Sequence, residues 1–504
     1  MTTTIYDIIS AGTPAAPAIG APGMNPQTYA GLKVLVERTV NALNERGIGR
    51  NDRVAIVLEN GPEMATAFLC IGAGATTAPL NPAYRADEFD FYLSDLNAKA
   101  LVVSYGSTSP AIEVAQKRGI PVIEIEGSLY GAAGDFRLRG KVEGPAATNG
   151  GMAQPDDCAL VLHTSGTTSR PKIVPLKQAN VCASAKHIME TLALTPNDVC
   201  LNIMPLFHIH GLIAAVLSSL RAGASVICSP GFNALQFFGW VSEAHPTWYT
   251  AVPTMHQAIL ARAERNKEVI EANKLRFIRS SSSSLPPQVM TKLEEVFGAP
   301  VIEAYGMTEA SHQMASNPLP PKAHKAGSVG LPAGPEIAIM DEAGKLLPNG
   351  QVGEVVIKGP NVFSGYEANP KANAEAFTNG WFRTGDQGTK DADGYLSLTG
   401  RLKEIINRGG EKISPREVDE VIMDHPAVAQ VVTFAMKHDM LGEDVAAAVV
   451  LRDGQEVNEA DLRKFVGERV ADFKVPRKVL FLKEIPKGAT GKLQRIGLAE
   501  KLGL

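Results

Sequence analysis

The chain has 504 residues, 45% of them hydrophobic, and a formal net charge of −4 with Lys, Arg, Asp and Glu interleaved. That is more than one compact unit needs, and it leaves no basic surface to neutralise a phosphate backbone, so no nucleic acid partner is expected. The five cysteines (Cys70, Cys158, Cys182, Cys200, Cys228) lack CxxC spacing and sit mostly in apolar runs. Together with an opening MTTTIYDIIS unlike a signal peptide, a closing KLGL unlike a peroxisomal tripeptide and no apolar stretch long enough for a membrane span, they predict a cytoplasmic protein.

Residues 32–43 carry apolar side chains at intervals of three and four, which predicts a helix. The runs at 53–58 (RVAIVL), 100–103 and 121–124 predict strands, and the alternation predicts an α/β fold with largely parallel, doubly covered sheets. The stretch AATNGGMAQP, 146–155, reads as a surface connection between two halves of a large domain. Short β-type runs punctuated by Gly and Asn at 353–366 and 394–402 predict a small β subdomain. After Pro415 the pattern becomes helix (416–424), strand (428–436), strand (445–451), helix (459–470). The expected division is an N-terminal domain, 1–402, of two sheets plus the β subdomain, and a mobile α+β C-terminal domain, 403–504.

The most informative stretch is CALVLHTSGTTSRPKIVPL, 158–176: an apolar strand ending at His163, a loop of Thr, Ser and Gly, then a second β-type run after Lys172. Small hydroxylic residues and glycine let a loop wrap N–H groups and hydroxyls around phosphate oxygens while a nearby cation offsets their charge. The Walker spacing is absent, and composition alone equally allows an ordinary polar turn. The string TSGTTSRPK, however, closely resembles the signature loop of the adenylate-forming superfamily of acyl-CoA synthetases, luciferases and peptide-synthetase adenylation domains. That resemblance implies ATP binding by Thr164, Ser165, Gly166, Thr167, Thr168 and Lys172.

The resemblance continues in order along essentially the full chain. PLFHIHG, 205–211, is similar to the segment that closes over the acyl site, implying an acyl and catalytic role for His208; core packing or a His208/His210 metal pair are the other readings, though no further ligand follows at short spacing. In EAYGMTEAS, 303–311, an aromatic face, a hydroxyl and a hard oxygen ligand lie within five residues and match the parts of MgATP, although the segment alone reads as a strand and helix cap. The resemblance implies that Tyr305 lies against adenine, Thr308 bonds the α-phosphate and substrate carboxylate, and Glu309 helps hold Mg²⁺; Ser283 joins the nucleotide set. By the same likeness, Asp386 in WFRTGDQG accepts bonds from the ribose hydroxyls and Arg401 touches the ribose. Lys403 is the hinge, Gly409 and Gly410 line the coenzyme A tunnel, and Lys492 in EIPKGATGKLQR is the adenylation lysine.

The implied activity is that of an ATP-dependent acid–CoA ligase, forming an acyl-adenylate and then an acyl-CoA thioester with ATP, Mg²⁺ and coenzyme A. No GxSxG, HExxH or complete GxGxxG competes. A luciferase-like oxygenase and a non-enzymatic nucleotide binder are the readings outside this class. FIRSSSSSLPP, 277–287, holds five consecutive serines, and His312 follows Glu309 by three residues. Hydroxyls and imidazoles suit a small second carboxylate, whose burial without hydrogen-bond partners would be prohibitive. With TWYTAVPT and SNPLP these words resemble the oxalate-activating branch, implying oxalate held by Ser282 and His312 with His208 closing over them. That branch usually interleaves Cys or Ala with its serines, so malonate, another small acid or a hydroxylated aromatic acid stay open.

Overall fold

The computed structural model describes residues 2–128, 131–140, 145–164, 171–486 and 493–504. The described chain falls into two compact units. One takes in residues up to Thr164, Ile173–Glu336 and Lys358–Ala374; the other takes in Ile337–Ile357 and Glu375–Leu504.

The first unit is built on two sheets. In the seven-stranded sheet, Val122–Gly127, Ala100–Ser104, Arg53–Val57, Thr76–Pro79 and Cys158–His163 lie side by side and parallel, with Phe136–Arg139 and Ile173–Lys177 closing the edges antiparallel. Four of the five residues in Arg53–Val57 are buried, as expected for a parallel strand covered on both faces. The expected strands at 53–58, 100–103 and 121–124 are all here. The predicted helix at 32–43 runs further, Tyr29–Glu45, because Thr28 caps it by accepting from the Gly31 N–H and because Leu32, Leu35, Val36, Val40 and Leu43 share one buried stripe. Residues 146–155 do not join two halves: the strands on either side of them, Phe136–Arg139 and Cys158–His163, belong to the same sheet. A polar, Gly-rich connection marks any long surface crossover, whether or not it divides a domain.

The nine-stranded sheet carries the candidate site. Its parallel centre runs Pro17–Gly20, Ser225–Cys228, Val199–Asn202, Trp248–Ala251, Phe277–Ser280, Val301–Met307, and the chain then doubles back antiparallel through His312–Ser316 and Leu331–Pro332. Phe237, Tyr249, Ile278, Leu293 and Val301 pack a core against one side of it.

The second unit has a six-stranded sheet that includes Gly353–Lys358, Trp381–Lys390 and Leu396–Arg401 in antiparallel pairs, and a five-stranded sheet from Ile406 onward. In the latter, Val428–His438 pairs Gly442–Leu451 over its length, flanked by helices Pro415–Met423 and Glu459–Gly467, around Val418, Ile422, Val431, Val445 and Leu462. The helix, strand, strand, helix order expected after Pro415 is present. Among the described residues no helix is long and apolar enough to cross a membrane.

Candidate active site

Strand Phe277–Ser280 is wholly buried, and the serine run emerges from its end: Ser280 and Ser281 are buried, Ser282 half-buried, Ser283 and Ser284 exposed. Ser281 anchors the turn by donating to the Ala304 carbonyl (2.9 Å). Ser282 then takes a left-handed conformation, φ +73°. Its hydroxyl lies 3.0 Å from Nδ1 of His210, the first residue of a buried π-helical segment, His210–Leu217. Such segments recur at functional sites because the wider turn re-aims a side chain.

The His312 ring stands 5.0 Å from that of His210, and His312 has φ +104°, a costly conformation for a side chain of its size. Gly306 on the neighbouring strand makes room for it: a Cβ there would fall 1.9 Å from the His312 carbonyl oxygen and 2.5 Å from its Nδ1. The expected pair Ser282 and His312 is thus brought together around His210. His208 lies two residues earlier, half-buried, its ring 5.4 Å from Phe207.

Behind His210 lies Arg279, fully buried. Its Nη1 is 3.3 Å from His210 Nε2 and 3.4 Å from Thr250 Oγ1, its Nη2 is 3.4 Å from Gln313 Oε1, and Thr250 Oγ1 is 2.6 Å from His210 Nε2. Parallel pairing of Thr250 with Arg279 across the sheet fixes this arrangement. Burial pulls the Arg279 guanidinium down to about 9, still charged at neutral pH.

Strand Val301–Met307 bulges between Tyr305 and Gly306, leaving Tyr305 almost buried, and runs into the turn Thr308–Ala310. The carboxylate of Glu309 is buried and accepts from the Tyr366 hydroxyl (2.8 Å), while its carbonyl accepts from the Phe363 N–H. Burial and the Glu309 charge together raise the Tyr366 hydroxyl, keeping it a donor. Among the described residues no cluster of three or more His, Cys, Asp or Glu could hold a metal ion. One oriented carboxylate nevertheless fits Mg²⁺, which binds through one or two carboxylates plus substrate phosphates and water.

On the loop side, Thr164 and Lys172 are half-buried, and His163 before them is pinned by Asp95 at 3.0 Å and by the edge of Tyr92. Ser165, Gly166, Thr167, Thr168 and Lys492 lie outside the described residues.

In the second unit, Asp386 faces Arg401 across a strand pair, Oδ1 to Nε 3.2 Å, with the carboxylate buried and the guanidinium half-exposed. Lys403 is exposed immediately after that strand. Gly409 (φ +59°) and Gly410 (φ +100°) form the two-residue loop between Ile406–Arg408 and Glu411–Ile413, where both positions need a left-handed backbone. Arg495 reaches Glu404 (3.2 Å), Asp419 (2.7 Å) and the Thr433 carbonyl (2.9 Å). Burial raises the Asp419 carboxyl, with Arg495 pulling the other way.

Sequence reasoning missed His210, Arg279, Thr250 and Tyr366 as site residues. The second histidine of HIH and the lone charge in the apolar run FIRS were visible signals; Tyr366, 57 residues from its partner, left none.

The AMP-binding enzyme family model matches residues 9–367, and that for the AMP-binding enzyme C-terminal domain matches 417–492. The chain belongs to this family. The oxalate–CoA ligase of Arabidopsis thaliana is 47% identical over 485 residues, covering 95% of this chain and 94% of its own length. That of Saccharomyces cerevisiae is 44% identical, covering 90% and 87%. Among solved structures, ATP-bound MatB of Rhodopseudomonas palustris matches with a TM-score of 0.89 at 30% identity over 99% of both chains.

Proposed function

We propose that this AMP-forming acid–CoA ligase activates oxalate: oxalate, ATP and CoA give oxalyl-CoA, AMP and diphosphate. The observation that carries the choice of acid is the Ser282, His210 and His312 cluster, a compact polar group built at the cost of two positive-φ side-chain-bearing residues. The two oxalate–CoA ligase relatives support it.

A carboxylate is a poor acyl donor because oxide is a poor leaving group, so the acid is first joined to AMP. In this reading Thr308 bonds the reacting carboxylate and the α-phosphate, Tyr305 packs on adenine, and the loop Thr164–Thr168 with Lys172 and Ser283 holds the phosphates. Lys492 brings a positive charge to the oxygens on which negative charge develops. Glu309 would hold Mg²⁺, which would neutralise phosphate charge. Asp386 and Arg401 hold the ribose. The division at 402/403 is part of the proposal: the C-terminal domain turns at Lys403, withdrawing Lys492 and presenting the Gly409–Gly410 hairpin to coenzyme A. A cytoplasmic location is supported by five unpaired cysteines.

The test is CoA-dependent AMP formation with oxalate, malonate, acetate, medium-chain and cinnamic acids. Oxalate should have the highest kcat/KM, and Ser282→Ala and His312→Ala should each lose about 30-fold or more with oxalate while ATP binding stays near normal. Preference for a medium-chain or cinnamic acid, or full oxalate activity in both variants, refutes the oxalate reading and leaves the ligase class standing.

A further inference from the structure

Arg279 is a fully buried cation whose hydrogen-bond partners among the described residues, His210, Thr250 and Gln313, are all uncharged side chains or imidazole. A buried charge without a counter-charge is costly, so its retention calls for an anion that arrives from elsewhere. The hydrogen bonds on its path have a fixed direction. A guanidinium has donors and no acceptor, so its approach to His210 Nε2 requires a lone pair on that nitrogen. Thr250 Oγ1 accepts from Arg279 Nη1 and gives its own hydrogen to the same Nε2. His210 then carries its proton on Nδ1 and donates it to Ser282 Oγ, which leaves the Ser282 hydrogen as the free donor of the chain.

We propose that Arg279 is a specificity-determining positioning residue: through His210 and Ser282 it makes the acyl pocket a donor site for the anionic second group of a small dicarboxylic acid. The inference rests on the oxalate reading of the pocket and adds the buried charge that selects for a dianion. Arg279 does not touch the acid itself. It orders the relay and biases the pocket toward negative charge, and adjacent links in such chains polarise one another. Reversal of any link would turn the Ser282 oxygen lone pairs toward a carboxylate, a repulsive contact.

The test compares oxalate with oxamate, in which a neutral amide replaces the second carboxylate at nearly the same size. In Arg279→Met, kcat/KM for oxalate should fall by about 30-fold or more, mainly through KM, while that for oxamate changes by less than about 3-fold; Arg279→Lys should recover much of the oxalate preference. Equal losses with both acids, or an unmoved oxalate to oxamate ratio, overturn the inference. Should Arg279→Met fail to fold, ring ¹⁵N spectra of the wild-type protein, with His210 identified by its loss in His210→Asn, decide the point. A neutral ring protonated on Nδ1 supports the relay; an Nε2–H tautomer or an imidazolium overturns it. Wild-type turnover of oxalate with unchanged selectivity in Arg279→Met removes the inference alone, whereas a wild-type preference for a monocarboxylic acid removes the oxalate reading along with it.

Discussion

Gly306→Ala is the sharpest test of how the proposed acyl site is held. A methyl on Gly306 would lie 1.9 Å from the His312 carbonyl oxygen and 2.6 Å from its carbonyl carbon, and neither backbone atom can swing aside as a side-chain tip could. The strand carrying His312 must withdraw by about 1 Å to restore the 3.0 Å below which real Cβ atoms are essentially never found. Over-packing of this kind costs about 1–3 kcal/mol. A displacement of 1 Å at a positioned group can cost about 100-fold in rate. The variant should therefore unfold a few degrees lower and lose kcat/KM for oxalate by up to two orders of magnitude. Gly239→Ala is the control: it sits in helix Phe237–Ala244 with nothing within 4 Å of the added carbon, and should gain about 0.5–1 kcal/mol. Thermal unfolding and steady-state AMP formation measure both. Unchanged melting and oxalate kinetics in Gly306→Ala would show that His312 is not held by this close approach.

The other expectations concern the nucleotide and the two half-reactions. Lys492→Ala should depress adenylate formation by orders of magnitude and spare thioester formation from supplied acyl-adenylate; equal loss in both steps contradicts the assignment. Proline fixes φ near −65°, so Lys403→Pro should keep adenylation and lose thioesterification, and normal overall turnover would put the hinge elsewhere. Tyr366→Phe removes the donor at 2.8 Å from the buried Glu309 carboxylate and should destabilise the protein by about 1.5–3 kcal/mol, a loss that shrinks when MgATP supplies a cation there. Equal losses with and without MgATP would separate Glu309 from the metal.

Much of the fold was legible because its signals are local. The apolar runs at 53–58 and 100–103 are parallel strands buried on both faces, and the stripe from Leu32 to Leu43 is one face of a helix. The six-stranded sheet was only half visible, since strands such as Leu346–Leu347 and Phe377–Thr378 are too short to show a period. At the site, words such as EAYGMTE are legible through their resemblance to the adenylate-forming superfamily, since alone they read as a strand and a helix cap. Arg279 and Thr250 sit inside FIRSSSSSLPP and TWYTAVPT, but no neighbour in sequence says what the lone charge or the hydroxyl meets. Their partners come from far along the chain: Thr250, 29 residues from Arg279, through sheet register, and His210, 69 residues away, from the start of the π-helical segment. His210 was visible as a letter, but which histidine of HIH turns inward depends on the π-helical start, and that is a property of backbone packing.

The Arg495 cluster ties the chain three residues beyond Lys492 to Glu404, the residue after Lys403. Its spokes run to the strand Val428–His438 and to the helix Pro415–Met423 as well. Under the proposed turn at Lys403, Glu404 and the chain at Arg495 would then travel as one arm. The arm is as stiff as the ion pairs that brace it. A mutation at Arg495, far from any substrate atom in sequence terms, would slacken that arm and blur the timing between the two half-reactions without altering either set of contacts.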